Sequence, residues 1–77
     1  MNNMRRKRIR EAIDSLRLAL DIVGECRDEE EEAMDNMPES LQESDRYSEL
    51  EEAFDILSEA ADNIDEVITN LEDVTEV

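Results

Sequence analysis

Through the second half of the chain, apolar residues recur in alternating steps of three and four: Tyr47, Leu50, Phe54, Leu57, Ala61, Ile64, Ile68 and Leu71. That spacing keeps one stripe of a helix turned toward a partner along its whole length. Ala53, Ala60, Val67 and Val74 make a second apolar column beside it. From Ile9 to Met37 the same rhythm runs with a broader stripe. Ala12, Leu16, Ala19, Val23, Cys26, Ala33 and Met37 read as its seam, with Glu30 the one polar occupant. Ile13, Leu20 and Met34 form a flanking column that Arg27 interrupts. Opposite the seam, Asp14, Asp21, Asp28 and Asp35 recur every seventh residue, as a solvent-facing ridge does. Leu18 and Ile22 fall off the stripe and are available for a second contact.

The ends of these elements carry their own signals. Asn2 or Asn3 reads as the N-cap of the first helix. Asn36-Met37-Pro38 ends that helix, because the residue before a proline is driven out of the α region. Ser40-Leu41-Gln42-Glu43 has capping-box spacing and reads as one helical turn, with Leu41 plugging the end of the bundle. Ser44 or Asp45 caps the last helix, and Ser48-x-x-Glu51 offers another box one turn in. Gly24 costs about 1 kcal/mol relative to alanine inside a helix; it marks a close helix approach or nothing.

The expected fold is therefore all-α, a single helical-hairpin domain over 1–77. Its helices span about 4–36 and about 45–75, with a Pro-containing connection over about 37–44. So short a connection makes the helices antiparallel neighbours. Position i then lies near position ~81 − i, in a rod about 45 Å long by helical rise. Each helix carries three apolar columns, whereas a pair needs two. With Phe54, Leu57 and Ile64 on the hairpin seam, the surplus columns are Ile13, Leu20 and Met34, and Ala53, Ala60, Val67 and Val74. A homodimer, two hairpins forming an antiparallel four-helix bundle, would cover them. A groove for a foreign helix is the other use of that surface.

Charge adds a polarity to this picture. The 77 residues carry a net charge of −16. Residues 1–27 hold seven basic and four acidic side chains, a local +3, and residues 28–77 hold Arg46 against twenty acids, a local −19. Arg5, Arg6, Lys7, Arg8 and Arg10 oppose the macrodipole at a helix start, at a cost of roughly a few tenths of a kcal/mol per charge. Folding back at the proline sets them against Glu72, Asp73 and Glu76. The other end of the rod has no such compensation. Asp28, Glu29, Glu31, Glu32, Asp35, Glu39, Glu49 and Glu52 are the candidate partner-binding surface there. A solvated coat that serves solubility is the alternative reading of the same acids.

Candidate chemistry is sparse. Without histidine, the nitrogen ligands of di-iron bundles are missing. The acidic runs lack the spaced oxygens and central glycine of an EF-hand. No nucleophile–base pair and no glycine-rich phosphate loop is present. The expectation is a non-enzyme with no cofactor and no metal. One cysteine excludes an internal disulfide; Cys26 reads as a buried small hydrophobe, with an intermolecular disulfide or a reactive thiol as alternatives. No secretory signal and no apolar run of ~20 residues is found, so the cytoplasm is the expected compartment, away from membranes. Direct nucleic-acid binding would rest on Arg5 to Arg10 alone, against strong overall repulsion. The reverse fits better: carboxylates ordered on a rod imitate phosphates and occupy the basic groove of a nuclease or repressor.

The segment Asp28-Glu29-Glu30-Glu31-Glu32-Ala33-Met34-Asp35-Asn36-Met37-Pro38-Glu39-Ser40-Leu41-Gln42-Glu43-Ser44-Asp45-Arg46, with the Glu-Ala-Phe-Asp heptads after it, resembles a group of small acidic helical-hairpin proteins encoded by phages and prophage-like elements of Gram-positive bacteria. The likeness spans most of the chain, and Asp-Asn-Met-Pro-Glu-Ser-Leu-Gln is its most specific part. That group brings a layout and no assigned activity. What the resemblance implies is a mobile-element context, in the cytoplasm of a host cell. There, a short acidic protein binds and inhibits a host defence-type protein, with nucleic-acid mimicry of a basic, nucleic-acid-handling target as one route. It also implies that residues 35–46 do more than connect. The second expectation is a structural or assembly module that docks through an apolar helical groove.

Overall fold

The computed structural model describes all 77 residues as two long helices folded into an antiparallel hairpin. Helix α1 spans Asn3–Asp35, a short 3₁₀ turn spans Glu39–Leu41, and helix α2 spans Asp45–Thr75. The rod is 59 Å long and 14 by 13 Å across at the Cα level. It exceeds the expected ~45 Å because the 33 residues of α1 alone rise about 50 Å and the connection extends beyond their end. Neither helix is long and apolar enough to cross a membrane.

Each helix starts on a side-chain cap. Asn2 Oδ1 accepts from the backbone N–H of Arg5 at 2.8 Å, and Ser44 Oγ accepts from that of Tyr47 at 3.2 Å. These bonds satisfy donors that the first helical turn leaves without partners. At the far end of α1, the Asn36 N–H donates to the Glu32 carbonyl at 2.9 Å and the Met37 N–H to the Met34 carbonyl at 3.1 Å. Pro38, with φ −55° and ψ 144°, leads the chain away, and its carbonyl accepts from Leu41 N–H at 2.8 Å. The Ser40–Glu43 capping box does not form, since Pro38 opens the turn without any side-chain cap. Leu41 is 49% exposed and plugs nothing. Met37 and Tyr47, both half-buried, already close that end of the core, so Leu41 has no apolar surface to lie on.

Along α2 the buried stripe is the one its spacing specifies. Tyr47, Leu50, Phe54, Leu57, Ala61, Ile64, Ile68 and Leu71 are all buried or half-buried; Leu50, Ala61 and Ile68 are each only 4% exposed. On α1 the stripe is rotated from the expected one. It runs through Ile9, Ile13, Leu16, Leu20, Val23, Arg27, Glu30, Met34 and Met37, again in steps of four and three. Ile13 and Met34 are buried there, while Ala12, Cys26 and Ala33 are exposed. Both seams share Leu16, Val23 and Met37, so the choice lies between an alanine column and an Ile–Leu–Met column. The larger side chains win because burial stabilises by roughly 25 cal/mol per Å² of apolar area.

Three expectations are corrected by that rotation. Ile13, Leu20 and Met34 belong to the hairpin core and are not surplus. Cys26 is an exposed free thiol and not a buried hydrophobe. Arg27 sits half-buried on the seam and turns outward to Asp28, with Nε 3.1 Å from Oδ1, leaving Glu30 without an ion pair. Gly24 marks no close approach either: a Cβ there would meet only the Arg27 guanidinium at 3.7 Å, an ordinary contact.

The core is thin. Only five residues, Ile13, Met34, Leu50, Ala61 and Ile68, are buried. Removing one of them should therefore be felt. Ile13→Ala is expected to lose about 2–3 kcal/mol in urea unfolding, whereas Ala12→Ser one position away should stay within about 0.5 kcal/mol. Gly24→Ala should gain about 1 kcal/mol in the same measurement, since helix propensity improves and nothing clashes.

Candidate functional site

The hairpin has two poles of different character. At the turn pole, residues 28–59 hold 14 acids and a single base, Arg46. That arginine reaches Glu49 at only 3.8 Å, with both side chains 69% exposed, so it neutralises little. All eight candidate acids, Asp28, Glu29, Glu31, Glu32, Asp35, Glu39, Glu49 and Glu52, are exposed. The fold-back sets the acidic end of α1 beside the acidic start of α2, so the two helices and the turn share one acidic cap. Within it the carboxylates point around the rod, and no three Cys, Asp or Glu side chains gather into a metal-holding group.

This pole works against the fold that carries it. The run Asp28 to Glu32 places like charges three and four apart, which weakens a helix. It also lies near the negative end of the α1 macrodipole, with no basic residue in the last turn. Hairpin stability therefore gives no reason for the acids to be there.

At the terminal pole the charges are engaged, but differently from the expected carboxylate contacts. Arg6 Nε donates to the Thr75 carbonyl at 3.1 Å, and a second guanidinium nitrogen donates to the Val77 carbonyl at 2.9 Å. A third bond, to Asn3 Oδ1 at 2.9 Å, holds the fork in place. The guanidinium thus caps the carbonyl end of α2, where a cation is favourable. This offsets part of the cost of placing cations at the start of α1. Arg17, outside the basic cluster, makes the ion pair with Glu72 at 3.0 Å. Arg5, Lys7, Arg8 and Arg10 form no ion pair, although Arg10 borders a shallow groove with Glu72 and Glu76.

Between the poles lie two broad faces. The Arg17–Glu72 bridge crosses one of them, and the heptad positions on that side (Arg10, Glu31, Glu51, Ser58 and Asp65) are polar. The opposite face carries Ala12, Ala19, Cys26 and Ala33 from α1, and Ala53, Ala60, Val67 and Val74 from α2. Val67 is 45% exposed, and Ile22 and Ile56 stand along its edges at 52% and 59%. Of the expected packing residues, Phe54, Leu57 and Ile64 face the seam, Val74 is half-buried at its margin, and Val67 faces out.

Sequence reasoning missed the Arg6 clasp, because its acceptors are backbone carbonyls that no residue type marks. It also missed Ile56, whose signal was its place off both α2 columns. A double-mutant cycle on Arg17 and Glu72, read by urea unfolding, should return at most ~1 kcal/mol and shrink as salt is added. No family model, no curated protein and no solved structure matches the chain.

Proposed function

We propose that this chain is a non-enzymatic accessory protein that binds a basic, nucleic-acid-handling protein through its turn pole and inhibits it by standing in for nucleic acid. The observation that carries this reading is the charge density of that pole. Fourteen acids less Arg46 leave −13 over roughly half of a 59 Å rod. That is one negative charge per ~2.3 Å, against one per ~1.7 Å along a DNA duplex. The acids weaken the helix they sit on, so a role outside the fold accounts for them better than one inside it. The resemblance to acidic hairpins of phages and prophage-like elements supports a host target of the defence type, met in the host cytoplasm.

A second reading is favoured by a separate observation, the exposed Ile22, Ile56 and Val67 on a single broad face. In this reading the chain is an assembly module, and two hairpins close into a four-helix bundle.

Capture from a bacterial lysate, at low and high salt, tests the first reading. The expected partner is basic, falls away steeply as salt rises, and is displaced by added duplex DNA. Neutralising the pole with Asp28→Asn, Glu29→Gln, Glu31→Gln and Glu32→Gln should weaken capture at least tenfold while the helical circular dichroism is kept. An uncharged partner, or capture indifferent to salt, would overturn the proposal.

A further inference from the structure

The apolar face and the charge polarity of the rod together specify how a second copy would sit. The face is centred on the middle of the hairpin. Leu20 and Ala61 border one groove, so Ala60 lies level with α1 near Asp21, midway between the turn and the termini. A second hairpin laid on this face therefore overlaps the first along its full length. The rod is 59 by 14 Å at the Cα level; its apolar columns run for ~32 Å of that length and cover about half of the ~800 Å² per partner that a standard interface buries, and the charged residues beyond them supply the rest. It would cover Ile22, Ile56 and Val67, which the hairpin leaves 45–59% exposed.

Charge then selects the orientation. Stacking two hairpins with their turns together would bring −13 against −13 at one end. Stacking them head to tail brings the basic start of each α1 onto the acidic end of the other. By heptad position Arg5 and Arg8 flank the apolar face, and both are free of ion pairs within the chain. In the head-to-tail arrangement they fall within about one helical turn of Glu29 and Glu32 of the other copy. Those two acids are also without ion pairs.

We propose that the partner for this face is a second copy of the chain, packed antiparallel, with Arg5 and Arg8 of each hairpin set against Glu29 and Glu32 of the other. The inference rests on the assembly reading above and adds its orientation and its contacts. It leaves the acidic-decoy reading to be judged by lysate capture.

Light scattering and sedimentation across a concentration series give the first test. The expected mass is twice the 8.9 kDa of the chain, and Val67→Glu should return it to one chain. Ile56→Lys, at a position too exposed to unfold the hairpin, should do the same. The orientation is read separately, from spin labels on Asn2→Cys in a Cys26→Ala background. Labels on the order of 50 Å apart are expected for the antiparallel pair, whereas a parallel pair would bring them within ~20 Å. Arg5→Glu with Arg8→Glu should weaken association at least tenfold at low salt, and adding Glu29→Arg with Glu32→Arg should restore it. A monomer at every concentration, or a dimer that ignores both Val67→Glu and Ile56→Lys, overturns self-association through this face. A short label distance, or failure of the charge swap to restore pairing, overturns the antiparallel contacts even where a dimer forms.

Discussion

A hairpin of two helices can close along only one seam, and this single restriction decides what every other residue does. Each helix offers the seam one stripe, so whatever is apolar outside that stripe is left in water. In this chain the seam takes Ile13, Leu20 and Met34 from α1 and the Tyr47-to-Leu71 stripe from α2. The alanine columns of both helices are then pushed to the same side, beside Ile22, Ile56 and Val67. The polar heptad positions are pushed to the other side, where Arg17 meets Glu72. The two broad faces, one apolar and one polar, are thus by-products of how the core closes.

Much of this is legible in the residues, and where it is not, the reason is physical. Proline, one glycine and heptad spacing specify two antiparallel helices, and the α2 stripe is unambiguous because its apolar columns differ in size. Phe54, Leu57 and Ile64 outweigh Ala53 and Ala60. On α1 two columns have identical spacing on either side of Leu16 and Val23, and spacing alone cannot choose between them. Side-chain volume does, and the choice moves Cys26 out and Arg27 in. At the candidate surface, exposure of the acids follows from their number and spacing. The Arg6 clasp does not, since it is a contact with backbone atoms whose position depends on the helices already being side by side.

The distribution of charge obeys a different logic from the distribution of apolar residues. The seam runs the full length of the rod, while the charge is split between its ends. Nothing in the packing of α1 against α2 requires acids to crowd at the turn, and the dipole of α1 opposes them there. The thin core, five buried residues in 77, leaves little stability to spare for such a load. Fold and charge in this molecule answer to separate demands, and the turn pole is where they conflict.

The Arg6 clasp has a practical corollary. By fastening the Thr75 and Val77 carbonyls to the start of α1, it makes the two chain ends leave the molecule side by side, at the pole remote from the acidic turn. A fluorophore, a surface linker or a fused domain can be attached at either end, or at both, and stands a rod's length from the carboxylates. Tethered in this way, the hairpin is presented turn outward.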